Sequence, residues 1–149
     1  MTSVLAPTVQ VGDRIGPLAV GRVTRSAIAL FAGGSGDHNA IHLDVDVARA
    51  AGMDDVFAQG MLSMAYLGRL LTDTFGPRAL LSFSTRFTAI TPVNAEPVCT
   101  GEVTAVEDGV ATLDLHVTLA DGTQTLLGSA RIALSPITAP ATHPEGISS

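Results

Sequence analysis

Apolar and polar side chains alternate through most of the second half of the chain. In Leu81, Phe83, Thr85, Phe87 and Ala89 one face is largely apolar, while Ser82, Ser84, Arg86 and Thr88 occupy the other, as far as Pro92. Period two over this length predicts a half-buried β-strand. Val98–Val106, Ala111–Leu119 and Thr125–Leu134 read as three more strands. In Ala111–Leu119 the apolar Ala111, Leu113, Leu115, Val117 and Leu119 alternate with Thr112, Asp114, His116 and Thr118. The connections carry Asp108-Gly109 and Asp121-Gly122, and Asp-Gly between alternating runs is a strong hairpin signal. The last three strands are therefore expected to be antiparallel neighbours.

The first half follows helical periods. Leu18–Val23 reads as a short strand after the glycines Gly12 and Gly16. Thr24 or Ser26 can cap a helix that buries Ala27, Ile28, Leu30, Phe31 and Ala32, with Gly33-Gly34 as its stop. Asp44 can cap a shorter helix over Val45–Ala51, closed by Gly52. The most apolar helix is predicted from Gly60 to Phe75, ending at Gly76-Pro77. Met61, Leu62, Met64, Ala65, Leu67, Leu70 and Leu71 surround it, and Ser63, Tyr66, Arg69 and Asp73 form its only polar stripe. A helix so apolar must be enclosed, and about 24 Å of length suits it to run along a sheet. The expected architecture is α+β: one long central helix wrapped by a curved antiparallel sheet of four or five strands. Gly128 and Ala130, facing inward, would let the helix approach closely.

Composition narrows the function classes. With 149 residues, 46% of them hydrophobic and 15% charged, the chain suits one domain with a core. The low charged fraction suggests apolar surface covered by a partner, most simply a second copy. Net charge is −6, and the eight basic residues are all isolated Arg, a poor match for nucleic acid or an anionic membrane. Residues 1–10 read as a loose arm without a signal-peptide pattern, and 135–149 as a disordered tail. No apolar run is long enough for a membrane span, so a cytoplasmic protein is expected. Cys99 stands alone, which excludes an internal disulfide and a thiolate zinc site. Four scattered histidines lack metal-ligand spacing.

The chemistry concentrates in Gly33–His42, GGSGDHNAIH. A core has no use for such a run. An isolated Asp-x4-His pair is more often a turn cap and a satisfied histidine. Here, however, glycines surround Asp37 and His42, Asn39 adds a polar anchor, and the long helix starts with Gly60. That helix end leaves N–H groups unpaired at the positive pole of the dipole, a place suited to a developing oxyanion. A carboxylate, an imidazole and such donors are the parts for proton chemistry beside a carbonyl.

The run Ser35, Gly36, Asp37, Asn39, Ile41, His42 resembles the signature of the MaoC-like, R-specific enoyl hydratase/dehydratase family, which has the hot-dog fold. Gln59-Gly60-Met61-Leu62 resembles that family's H-G-M-L at the start of the central helix, and Arg86, Phe87 and Pro92 its R-F-x-x-x-x-P segment. The resemblance spans residues 11–134 and implies one hot-dog domain there. It implies that Asp37 and His42 are the catalytic pair, that Gly60 supplies the oxyanion N–H, and that Asn39 orients the loop. Gln59 and Ser63 are the remaining candidates for substrate binding or loop orientation. Two departures stand out: Ala40 where the family has proline, and Gln59 where it has histidine.

The reaction so implied is reversible hydration of a trans-2-enoyl thioester to the (3R)-3-hydroxyacyl thioester, on coenzyme A or acyl carrier protein. No cofactor and no metal are expected. The family forms homodimers, or heterodimers in which one subunit carries the Asp and His. A hot-dog acyl thioesterase and a subunit of a heterodimeric dehydratase are the competing readings.

Overall fold

The computed structural model describes residues 8–134. The expected tail 135–149 and the first seven residues of the expected arm lie outside them, and Val9 packs against the core. Strands β1 (Arg14–Ala19), β2 (Leu80–Phe87), β3 (Val98–Glu107), β4 (Val110–Thr118) and β5 (Gln124–Ala133) form one sheet in the order β1-β3-β4-β5-β2. Every pairing is antiparallel. The helices are α1 (Arg25–Ser35), α2 (Val45–Ala50) and α3 (Gly60–Phe75). This is the expected arrangement, with five of the expected four or five strands.

Helix α3 has the predicted bounds and touches all five strands. Leu67, Leu70 and Leu71 meet Ala111, Leu113, Leu115 and Val117 of β4 in the main core. Those four β4 side chains are fully buried, as the alternation required. Each such leucine contributes about 1.5–3 kcal/mol through burial. A second cluster, Val23, Ile28, Ala58 and Leu62, lies between α1 and the start of α3, and Tyr66 packs against both clusters.

Several expectations are corrected. The first strand begins at Arg14 and ends at Ala19, not Leu18–Val23, because Gly16-Pro17 does not precede it but forms an irregularity inside it. An edge strand tolerates proline there because the missing N–H can face away from the sheet. At Gly16 (φ 85°) a Cβ would lie 2.8 Å from the Cys99 carbonyl oxygen, so the backbones meet too closely for a side chain. Helix α1 runs through Gly33-Gly34 and stops at Gly36 (φ 79°), which takes the left-handed cap conformation. Thr24 supplies its N-cap, its Oγ1 accepting the Ala27 N–H at 3.1 Å. On α1 only Ile28 and Ala32 are buried, whereas Leu30 is exposed.

Helix α3 is covered on its sheet side, but Met61 and Ala65 face outward. The expected polar stripe divides: Ser63 is buried, while Arg69 and Asp73 form an exposed ion pair. Strand β2 ends at Phe87, because the N–H groups of Thr88 and Ala89 both turn to the Thr125 carbonyl and redirect the chain. Leu81 is half exposed where the register slips between Leu80 and Ser82. Gly128 makes room for neighbouring strands rather than for α3: a Cβ there would lie 3.0 Å from the Ser84 carbonyl oxygen and 3.4 Å from Leu115 Cβ.

Cys99 is fully buried, and burial pushes its thiol up to about 12. The sulfur is therefore a protonated, inaccessible thiol at pH 8 rather than a nucleophile. Native protein at pH 8 should leave Ellman's reagent unreacted, and one thiol should titrate on unfolding in guanidinium. Rapid reaction of the native state would contradict the packing around β3.

Candidate functional site

The Gly36 cap ends α1 and releases the chain into a sequence of short polar turns. Ser35 Oγ accepts the Asp37 N–H at 3.2 Å, Asp37 Oδ1 accepts the Asn39 N–H at 3.3 Å, and Asn39 Oδ1 accepts the Ile41 N–H at 3.2 Å. Short polar side chains bond readily to the backbone two residues on, which is why this composition makes a defined loop. Asn39 thereby caps a single 3₁₀ turn, Ala40–His42, which carries the imidazole. The Asp44 carboxylate caps α2 directly afterwards.

The turn places His42 Nε2 3.9 Å from Asp37 Oδ2. That is too long for a direct hydrogen bond and leaves space for one small oxygen to contact both. The other ring nitrogen, Nδ1, lies 2.8 Å from the Phe57 carbonyl oxygen. A carbonyl only accepts, so Nδ1 is the donor in this contact, and in the neutral tautomer that this selects the lone pair is on Nε2, toward the carboxylate. The Phe57 ring also meets the imidazole edge-on, with centroids 4.9 Å apart. The His42 side chain is 11% exposed and that of Asp37 43%.

A cleft of about 500 Å³ opens beside this pair. Asp37, Gly60, Ser63, Thr88 and Thr91 supply its polar wall; Phe57, Met61, Phe87, Ile90 and Leu126 are among its apolar residues. A mostly apolar cleft with a few convergent polar groups is the usual form of a small-molecule site. His42 is not one of the cleft's lining residues and reaches it through Asp37.

Gly60 opens α3 at the cleft. The first N–H to turn back is that of Leu62, donating to the Gln59 carbonyl at 3.0 Å. Among the described residues, the N–H groups of Gly60 and Met61 have no hydrogen-bond partner. No side chain caps this helix end. Glycine is required by packing: a Cβ on Gly60 would lie 2.9 Å from Phe87 Cδ1 and Cε1. The ring thus closes directly over the helix start.

Of the predicted residues, Asp37, Gly60 and Ser63 line the cleft, His42 stands beside Asp37, and Asn39 shapes their loop. Gln59 does not line it. Its buried Nε2 donates to the Ile28 carbonyl at 3.2 Å, tying α3 to α1, and its buried Oε1 has no partner among the described residues. Phe57 and Thr91 escaped the sequence reading. Phe57 acts through a carbonyl, which leaves no side-chain signal, and Thr91 looks like an ordinary loop residue before Pro92. Among the described residues no group of three potential metal ligands occurs, and no helix is long and apolar enough to cross a membrane.

Gln59→Met removes one buried hydrogen bond but also an unpartnered buried oxygen, effects of opposite sign and similar size. Its urea unfolding free energy should change by less than about 1 kcal/mol; a loss of about 3 kcal/mol would mean that Oε1 is satisfied in solution. Ala40 occupies the first position of its 3₁₀ turn, where its N–H has no acceptor among the described residues. Asn39, at ψ 123°, is already in the range a following proline demands. Ala40→Pro should therefore stabilise the protein by about 0.4–1 kcal/mol, and a lowered urea midpoint would count against the turn geometry.

A family model described as MaoC like domain matches residues 9–123. The 3-hydroxyacyl-thioester dehydratase Z of Mycobacterium tuberculosis is 29% identical over 103 residues, covering 65% of this chain and 68% of the relative. The (R)-hydratase from A. caviae involved in PHA biosynthesis superposes with a TM-score of 0.80 at 27% identity, over 87% of this chain and 100% of that one. A chain of the ChsH1–ChsH2 complex from Mycobacterium tuberculosis superposes with a TM-score of 0.78 over 86% of this chain and 100% of its own. At 24% identity that likeness shows the fold alone. The five antiparallel strands around α3 are the hot-dog fold, and with the match to its model over most of the chain, this protein belongs to the MaoC-like dehydratase family.

Proposed function

We propose that the protein is a hydro-lyase that adds water reversibly to a trans-2-enoyl thioester, giving the (3R)-3-hydroxyacyl thioester, on coenzyme A or acyl carrier protein. The observation that carries this reading is the 3.9 Å separation of His42 Nε2 and Asp37 Oδ2 at a cleft that also receives the start of α3. A water oxygen between the two groups can hydrogen bond to both. The thioester carbonyl oxygen accepts from the free N–H groups at Gly60, where the helix dipole stabilises the enolate that forms. As the water oxygen closes on C3, the pair takes one of its protons and delivers a proton to C2, so that H₂O is added and the pair returns to its starting state. With Nδ1 committed to Phe57, Nε2 is the ring atom that exchanges protons. Dehydration is the same path reversed.

The apolar part of the cleft, Met61, Phe87, Ile90 and Leu126, suits the acyl group. Met61, Phe87 and Ile90 are each about half exposed in the single chain, and among the described residues β2 is bonded to β5 alone, with its other edge unpaired. A second copy, or a related subunit, pairing on that side would cover them.

Loss of enoyl-thioester absorbance with crotonyl-CoA and with a longer 2-enoyl-CoA tests the reaction. The wild type should hydrate at least one of them, and Asp37→Asn or His42→Ala should lower kcat on the order of a hundredfold or more. Release of free thiol instead would make the protein a thioesterase. A folded protein that hydrates neither substrate would overturn the proposal.

A further inference from the structure

We infer that Thr91 is a positioning residue that fixes the start of α3 relative to the imidazole of His42. The inference rests on the functional reading above. Thr91 makes two bonds with different parts of the site. Its carbonyl oxygen accepts the Ala58 N–H at 2.9 Å. Ala58 follows Phe57, whose carbonyl holds His42 Nδ1, and Phe57 and Pro92 form a β-bridge beside it. Its hydroxyl lies 3.1 Å from Ser63 Oγ, in the first turn of α3 and three residues after Gly60. One residue is thus tied by its main chain to the segment that orients the proton-transfer group, and by its side chain to the helix that presents the N–H groups.

Both hydroxyls are almost fully buried, Ser63 at 1% and Thr91 at 4% exposure, and both border the cleft. Valine would fill the place of Thr91 with the same branched shape and no polar group to satisfy. A buried hydroxyl pair in largely apolar surroundings is therefore better accounted for by the direction it imposes than by the volume it fills. Direction matters here because displacement of a reacting group by about 1 Å can cost on the order of a hundredfold in rate. The clasp allows α3 and the 88–92 segment one separation. Without it, no side-chain hydrogen bond among the described residues would tie α3 to this segment.

The test uses the full-length protein and its Thr91→Val, Ser63→Ala, double and Thr91→Ser variants. Hydration kinetics are measured with the better enoyl-CoA, and amide hydrogen exchange is measured at Ala58. Thr91→Val and Ser63→Ala should each lower kcat about tenfold with KM changed less than about twofold, because the alignment of reacting groups is loosened. The double variant should lose no more than either single one, since one hydrogen bond is removed in all three. Thr91→Ser should keep the wild-type kcat, and Ala58 exchange should rise in Thr91→Val. An unchanged kcat in Thr91→Val, multiplied losses in the double variant, or failure of serine to rescue would each overturn the inference. Should the wild type hydrate nothing, the functional reading falls separately, and exchange decides the clasp: an unchanged Ala58 rate in Thr91→Val overturns it.

Discussion

The bond from His42 Nδ1 to the Phe57 carbonyl is the constraint on which the rest of the site depends. It fixes three things together: the plane of the ring, the tautomer, and the separation of the 3₁₀ turn from the segment entering α3. An imidazole free to rotate beside Asp37 would present either nitrogen and would be an indifferent proton acceptor. Held by a backbone carbonyl, it presents Nε2 alone. The carbonyl in turn stays in place because its neighbours are tied down: Ala58 to Thr91, Gln59 to Ile28, and the whole segment to the cluster of Val23, Ile28, Ala58 and Leu62.

The fold supplies the opposite side of the site by the same economy. Helix α3 is anchored over its length by leucines against β4 and β5, and this burial of apolar surface determines where its first turn lies. Among the described residues no capping side chain competes for the leading N–H groups, and no Cβ at Gly60 holds Phe87 away. Helix packing, which stabilises the protein, therefore also delivers unpaired donors to a largely apolar cleft. In the proposed reaction they would meet developing negative charge there, where such an interaction is stronger than in water.

Much of this was legible in the sequence, and the misses have physical causes. Helix α3 was bounded correctly because its apolar period is long and a glycine stands at each end. Strands β3 to β5 were found because alternation and Asp-Gly turns agree. The start of β1 was missed because Gly16-Pro17 looks like a turn unless the sheet edge beside it is known. The end of α1 was placed at Gly33-Gly34, yet glycine stops a helix only where the chain adopts positive φ, and that happens at Gly36. Helical spacing puts Ser63 on one polar stripe with Arg69 and Asp73, but its burial is not legible, since its partner Thr91 is distant in sequence and carries no periodic signal. The polar loop stood out by composition, but the partner that orients its histidine is a main-chain oxygen.

The two departures from the family's wording follow from the same feature. Ala40 replaces a proline at a position that donates no hydrogen bond among the described residues, so the turn keeps its contacts and loses only preset conformation. Gln59 replaces a histidine outside the cleft wall, where the side chain ties α3 to α1 while the Gln59 carbonyl still receives the Leu62 N–H. Neither Ala40 nor Gln59 lines the cleft. What holds those groups is mostly main chain: the Phe57 carbonyl, the Thr91 carbonyl and the first turn of α3. Main-chain contacts survive most substitutions, because every residue except proline offers the same donor and acceptor. A site built on them can lose family side chains around its edge while keeping the geometry that the proposed water addition requires.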